Sequence, residues 1–173
     1  MSKPQKTLLL VRHGKTKDHA DFEHDAQRTL TDRGEKNSRD TALIIRGLDV
    51  IPEMVRCSTA QRAVQTAKLM MKTWKTSEID LRLEEDLYLP TAEHLFYQIL
   101  QSPDEVSRLM FVGHEPSLSQ VTRAFVPHFS GKVVTASVSI ITFRAEKWSD
   151  IHSRNILWAK HYNRHYPGGI VLV

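Results

Sequence analysis

Cysteine occurs once in this sequence, at Cys57. That excludes an intramolecular disulfide and any cysteine-built zinc or iron–sulfur site. Long apolar runs are missing as well. None exceeds the four residues of Leu8–Val11, far short of the ~20 that a membrane span needs. The first residues, Met1–Lys6, lead into no signal-like apolar region, because Arg12 and His13 interrupt at once. The expectation is a cytoplasmic protein with no membrane partner. Glycine is sparse, seven residues in 173, and none forms a G-x-x-x-x-G-K loop. No Gly/Ser linker, repeat or low-complexity stretch breaks the chain, so residues 1–173 read as one domain. The charge is +4 with a pI near 9.3, but Lys and Arg are scattered and no aromatic-studded basic stripe occurs. This balance favours a small anionic group as the partner and disfavours nucleic acid.

What is present is an alternation of short apolar runs with helical patterns. Thr7–Arg12 reads as a strand buried on both faces. Thr31 reads as the N-cap of a helix to Gly47, and Pro52–Cys57 as a second strand. Ser58-Thr-Ala-Gln61 has capping-box spacing for a helix to about Trp74. Ile79–Leu83 is a strand candidate, and Thr91 can cap a helix to Leu100. Arg108–Val112 is a further strand, followed by a helix from Pro116 to Phe125. Val133–Phe143 is rich in β-branched residues, and Ile156–Ala159 is a last short strand. The alternation predicts an α/β fold: a three-layer sandwich with a mostly parallel central sheet flanked by helices.

In such sheets ligands bind beyond the carboxyl ends of the strands. Those ends carry Arg12-His13-Gly14, Cys57-Ser58-Thr59 and Gly113-His114-Glu115, and Arg62 lies in the helix after the second. Two histidines and two arginines therefore converge from distant positions. Guanidinium groups match tetrahedral oxyanions, and neutral imidazole is a nucleophile. This combination suits phosphoryl transfer with no metal or other cofactor.

The same residues carry a resemblance. Leu10-Val-Arg12-His13-Gly14 resembles the Arg-His-Gly signature of the histidine phosphatase superfamily, also called phosphoglycerate-mutase-like. Arg28-Thr-Leu-Thr-Asp-Arg-Gly34, Ser58-Thr-Ala-Gln-Arg62-Ala-Val-Gln-Thr66 and Phe111-Val-Gly-His114-Glu-Pro resemble its later segments, in family order. Together they span Leu8–Ser119, about two thirds of the chain. The resemblance implies that His13 attacks phosphorus and becomes a phosphohistidine that water hydrolyses. It also implies that Arg12, Arg62 and His114 bind the phosphate oxygens, with Lys15 or Thr16 as a further contact. Two nearby arginines would keep His13 neutral, its other ring nitrogen donating to a backbone carbonyl, while His114 can be cationic.

Only 51 residues separate Arg62 from His114. Mutases and many larger members insert a lid there, which also supplies an acid. The short gap, and Glu85-Asp-Leu-Tyr88-Leu-Pro-Thr-Ala-Glu93, resemble the compact SixA-like phosphohistidine phosphatases, which have no lid subdomain. An alkoxide leaving group needs a proton, whereas the imidazole of phosphohistidine can leave neutral. The expected substrate is therefore phosphohistidine or another phosphoprotein, or a small phosphate ester. Glu93, Glu85 and Asp86 are the candidates if an acid exists. A protein Ser/Thr phosphatase and a non-catalytic binding module of the same fold are the alternatives.

Other residues receive plainer readings. His19 and His24 read as loop residues, and His94, His128 and His152 as solvated. His161 and His165 have the i,i+4 spacing of a helical zinc pair but no third ligand. Four residues between Cys57 and Arg62 are one too few for the loop of a cysteine phosphatase, so Cys57 reads as a buried strand residue. The tail Trp148–Val173 matches no segment of the resemblance; its basic and aromatic residues suggest a part in shaping substrate access.

Overall fold

A computed structural model describes residues 4–76 and 78–173; residues 1–3 of the Met1–Lys6 stretch lie outside these. The chain runs β1 (Lys6–Arg12), α1 (Asp32–Gly47), β2 (Met54–Ser58), α2 (Gln61–Trp74) and β3 (Asp80–Glu84). It continues through α3 (Ala92–Leu100), β4 (Arg108–Gly113), α4 (Ser117–Phe125), β5 (Val138–Phe143), β6 (Ile156–Asn163) and β7 (Tyr166–Val171). The strands form one sheet in the order β3-β2-β4-β1-β5-β6-β7.

The α/β architecture is present, but the sheet is not mostly parallel. β1–β4, β2–β4 and β2–β3 pair parallel, while β1–β5, β5–β6 and β6–β7 pair antiparallel. For β6 and β7 the cause is connectivity, whereas β5 follows helix α4 and still runs antiparallel to β1. A parallel neighbour requires a crossover, usually a helix, and helices separate the strands only as far as β5. After it come two short 3-10 turns and a hairpin. The Asn163 side chain shapes that hairpin by accepting from the amides of His165 and Tyr166. Strand β7 has no strand signal in the sequence, because Pro167-Gly168-Gly169 are strand breakers; they are tolerated here because β7 is an edge.

Strand β1 is buried on both faces, and its side chains alternate between two cores. Leu8 and Leu10 join Leu95 and Ile99 of α3 and Leu118, Val121 and Phe125 of α4. Leu9 and Val11 join Ala42 and Ile45 of α1 and Ala63, Ala67 and Met70 of α2. The carboxyl ends of β1, β2 and β4 are thereby fixed side by side.

The helix starts follow the sequence in two cases. Thr31 Oγ1 accepts from the Gly34 amide and Thr91 Oγ1 from that of His94. At Ser58 they do not. β2 extends through Ser58, α2 begins at Gln61, and Ala60 takes the cap position with no side-chain bond. His161 and His165 are not on a helix: the first is buried in β6 and the second sits in the exposed hairpin turn.

Candidate active site

His13 follows β1 directly, and its orientation is set by the next peptide. His13 Nδ1 donates to the carbonyl of Gly14 at 2.8 Å, leaving Nε2 with its lone pair. The Gly14 amide donates to Thr66 Oγ1 of α2 at 3.0 Å. Gly14 also lies against the first turn of α1. A Cβ on it would come 2.7 Å from the Gly34 carbonyl oxygen, and one on Gly34 would collide with the Lys15 backbone. The glycines of two separate motifs are thus one backbone-to-backbone contact, which anchors the peptide that aims His13.

His114 follows β4. Its ring centroid lies 5.2 Å from that of His13, and its Nε2 is 2.8 Å from Ser58 Oγ. Ser58 Oγ accepts from the Ala60 amide, so its own hydrogen can go to Nε2, placing the His114 proton on Nδ1. That Nδ1 is buried without a partner among the described residues, as is Nε of Arg12. Arg12 is held through Nη1 by the Val133 carbonyl at 3.2 Å, and the Ala136 amide binds the carbonyls of Arg12 and His13. Of the β-branched-rich stretch Val133–Phe143, residues 133–137 form this support and β5 starts at Val138.

Arg62 lies in the first turn of α2 and is 4% exposed. Its Nη1 donates to the carbonyl of Asp25 at 2.7 Å and its Nη2 to Asp25 Oδ2 at 2.8 Å. Tyr88 OH donates to the same Oδ2 at 2.9 Å. Arg28 reaches Asp25 Oδ1 at 3.2 Å and Thr16 Oγ1 at 2.6 Å.

Arg12, His13, Lys15, Thr16, Arg62 and His114, all named from the sequence, line one open cleft of about 570 Å³. Asp25, Arg28, Leu89, Glu115 and Thr135 line it too. Glu93 does not. It lies on α3 in a separate apolar groove beside α4, and Asp86 is bound to His94 and Gln98. The carboxylates at the cleft are Asp25 and Glu115. Asp25 had only a weak signal, an Asp/His-rich stretch before Arg28, and Tyr88 had none beyond the segment it occurs in.

Burial is the main cause that lowers the His13 pKa to about 4; the bond to Gly14 opposes it, and Arg62, Arg12 and Arg28 add to it. Burial thus outweighs the arginines that the sequence points to as the cause. Burial also lowers His114 to about 3, helped by His13 and Arg62 and opposed by Asp25. His114 is thus neutral at pH 7 in this structure; the cation expected from the sequence was one set against a phosphate dianion. Burial works to raise Asp25, but hydrogen bonds from Tyr88, Arg62 and Arg28 outweigh it and hold the carboxyl at about 2. Cys57 is fully buried in β2, which raises its thiol to about 12 and leaves no thiolate to act as a nucleophile. Among the described residues no group of three His, Cys, Asp or Glu side chains is placed to hold a metal ion, and no helix is long and apolar enough to cross a membrane.

The histidine values set an acid limit on stability. His161, bonded through Nδ1 to Ser139, is also lowered to about 4 by burial. Between about pH 4 and the ordinary value of 6.5, the unfolded chain binds protons at His13, His114 and His161 that the folded chain refuses. Stability therefore rises with pH across that window and falls on acidification, by up to ~1.4 kcal/mol per pH unit per histidine. Urea unfolding at pH 7.0 and pH 5.0 is expected to show a loss of several kcal/mol; equal midpoints would contradict these protonation states.

Comparison with known proteins agrees with this geometry. The family model described as histidine phosphatase superfamily (branch 1) matches residues 8–115. A search of curated proteins gave no match. Among solved structures, the Agrobacterium tumefaciens protein assigned as the phosphohistidine phosphatase SixA is 25% identical, with a TM-score of 0.74 over 83% of this chain and 94% of that one. The corresponding Nakamurella multipartitia protein is 20% identical, with a TM-score of 0.75 over 88% and 92%. A protein histidine phosphatase SixA complexed with tungstate is 18% identical, with a TM-score of 0.71 over 88% and 95%.

Proposed function

Because this chain belongs to branch 1 of the histidine phosphatase superfamily and is a phosphatase, we propose that it hydrolyses phosphohistidine, through a phosphoenzyme formed on His13 and without a metal. The observation that carries the reading is the pairing of a neutral, oriented His13 with unpartnered donors. Nδ1 of His13 is committed to Gly14, while Arg12 Nε and His114 Nδ1 are buried with nothing to bind. Buried donors without acceptors are costly, and a phosphoryl oxygen would satisfy both.

In the first step His13 Nε2 forms a bond to phosphorus as the bond to the leaving group breaks. Arg12, Arg62 and His114 hold the phosphoryl oxygens, with Lys15, Thr16 and Arg28 at the rim, and the positive charge is in place before the reaction begins. Phosphate in the cleft also favours the protonated form of His114. In the second step water forms a bond to phosphorus, the N–P bond breaks, and His13 is restored as phosphate leaves.

The protonation of Asp25 supports the choice of substrate. A carboxyl held at about 2 is ionised at neutral pH and cannot protonate a departing alkoxide. Imidazole leaves without that help once its far nitrogen is protonated. An open cleft also admits a side chain still attached to its protein.

The test is phosphate release from a phosphohistidine peptide and a matched phosphoserine peptide, with chelator present. The expected result is chelator-insensitive release, with phosphohistidine favoured by ~10²-fold or more in kcat/KM, the range that acid catalysis supplies. Equal turnover of both peptides would refute the substrate assignment, and loss of release with chelator would refute metal independence.

A further inference from the structure

We propose that Asp25 is a positioning residue of this site, holding the Arg62 guanidinium where it receives the phosphoryl group. The inference rests on the phosphate-binding role given to Arg62 above. Arginine is a long side chain that loses considerable freedom when fixed. Asp25 fixes it at two points, the backbone carbonyl on Nη1 and Oδ2 on Nη2. The other N–H groups of the fork stay available for an oxyanion.

Tyr88 completes the clamp. Its hydroxyl donates to the Oδ2 that holds Arg62. Its ring lies 5.9 Å from the Arg62 guanidinium and meets the His114 ring edge-on at 5.7 Å. One loop residue and one residue after β3 thus brace two groups assigned to the phosphate.

An ionised carboxylate beside a phosphate site could instead be a competitor standing in the phosphate's place. The unpartnered donors argue against that. A carboxylate in the phosphate's place would accept from Arg12 Nε or His114 Nδ1, yet both are without partners. Among the described residues Asp25 bonds Arg62, Arg28 and Tyr88, and so stands to one side.

The experiment compares the full-length wild type with Asp25→Ala, Asp25→Asn and Tyr88→Phe. It measures kcat, KM and the inhibition constant of inorganic phosphate, with circular dichroism as a check of folding. Asp25→Ala is expected to weaken phosphate inhibition about ten-fold and to lower kcat/KM by about 10²-fold, the scale of a misplaced catalytic group. Asp25→Asn keeps an acceptor for Nη2 and is expected to fall between wild type and Asp25→Ala. Tyr88→Phe keeps the ring but loses the bond to Oδ2, with a loss of several-fold that stays readable if an Asp25 variant misfolds. Partial recovery of kcat/KM and of phosphate inhibition by Asp25→Asn, with circular dichroism unchanged in all three variants, is the readout that a purely structural role would not give. Tighter phosphate inhibition in Asp25→Ala would overturn the proposal in favour of competition. Unchanged kinetics in all three variants would overturn it outright. A wild type indifferent to phosphate and inert on every phosphopeptide would overturn the role given to Arg62, and this proposal with it.

Discussion

Replacing His13 by alanine is expected to lower kcat by ~10⁴-fold or more while the fold survives. The size follows from the role: no other group at the cleft can take over the attack. His114 is its nearest rival, with a ring centroid 5.2 Å away, but its Nε2 is engaged by Ser58. Cys57 is buried with its thiol at about 12, so it offers no thiolate. What remains in the variant is a cleft that binds phosphate and aligns water, which accounts for residual activity in enzymes stripped of their nucleophile. Phosphate release under saturating phosphohistidine peptide measures the effect. Stability should change little or rise, because the variant no longer keeps a buried imidazole neutral. A loss of less than ten-fold would mean that another group forms the covalent bond, or that none is formed.

Arg62→Ala is expected to lower kcat/KM by ~10²–10³-fold, the range seen when one preorganised donor to a developing oxyanion is removed. Arg62→Lys should recover little of it. Lysine is a single point charge and cannot hold the carbonyl and carboxylate of Asp25 while also presenting a fork to phosphate. The substitution has a second effect, on stability. Arg62 is almost fully buried and its loss strips Asp25 of its closest cation. Asp25 is one-third exposed and keeps Arg28 and Tyr88, so the cost is ~1–2 kcal/mol, less than for a fully buried pair. Steady-state kinetics and urea unfolding of the same preparations separate the two effects. An Arg62→Lys variant with wild-type kcat/KM would show that charge alone suffices.

The sequence was informative where a physical requirement repeats along the chain or concentrates at one point. Thr7–Arg12 is a continuous apolar run because β1 lies between two cores. The glycines of Arg12-His13-Gly14 and Thr31-Asp-Arg-Gly34 are where two backbones touch, so no side chain fits. Such constraints leave residue-type signatures. The sheet beyond β1 left a weaker one. The helix–strand alternation that implied a parallel sheet stops after Phe125, and that loss of helical pattern was the available sign that the remaining strands pair antiparallel. Ser58 departs from its expected place for a related reason. A serine before a helix suits an N-cap, but here β2 runs through Ser58, whose buried hydroxyl meets His114 Nε2.

Asp25 and Tyr88 were illegible for another reason. Each lies in a short 3-10 turn or beside one, where no periodicity marks the inward direction. Their contact spans 63 residues. Glu93 is an acid in a family-like segment, yet α3 turns it into a different groove. Residues at the strand ends could be placed from the sequence, and those in the turns between the elements could not.

The most direct test of the account is to trap the covalent intermediate. Wild-type enzyme is mixed with a radiolabelled phosphohistidine peptide, quenched within milliseconds under alkaline conditions that preserve phosphohistidine, and mapped by mass spectrometry. The account predicts a phosphoryl group on His13 in the wild type, none in His13→Ala, and formation unaffected by chelator. Label on His114 or another residue, or product release with no labelled enzyme at any time, would contradict it.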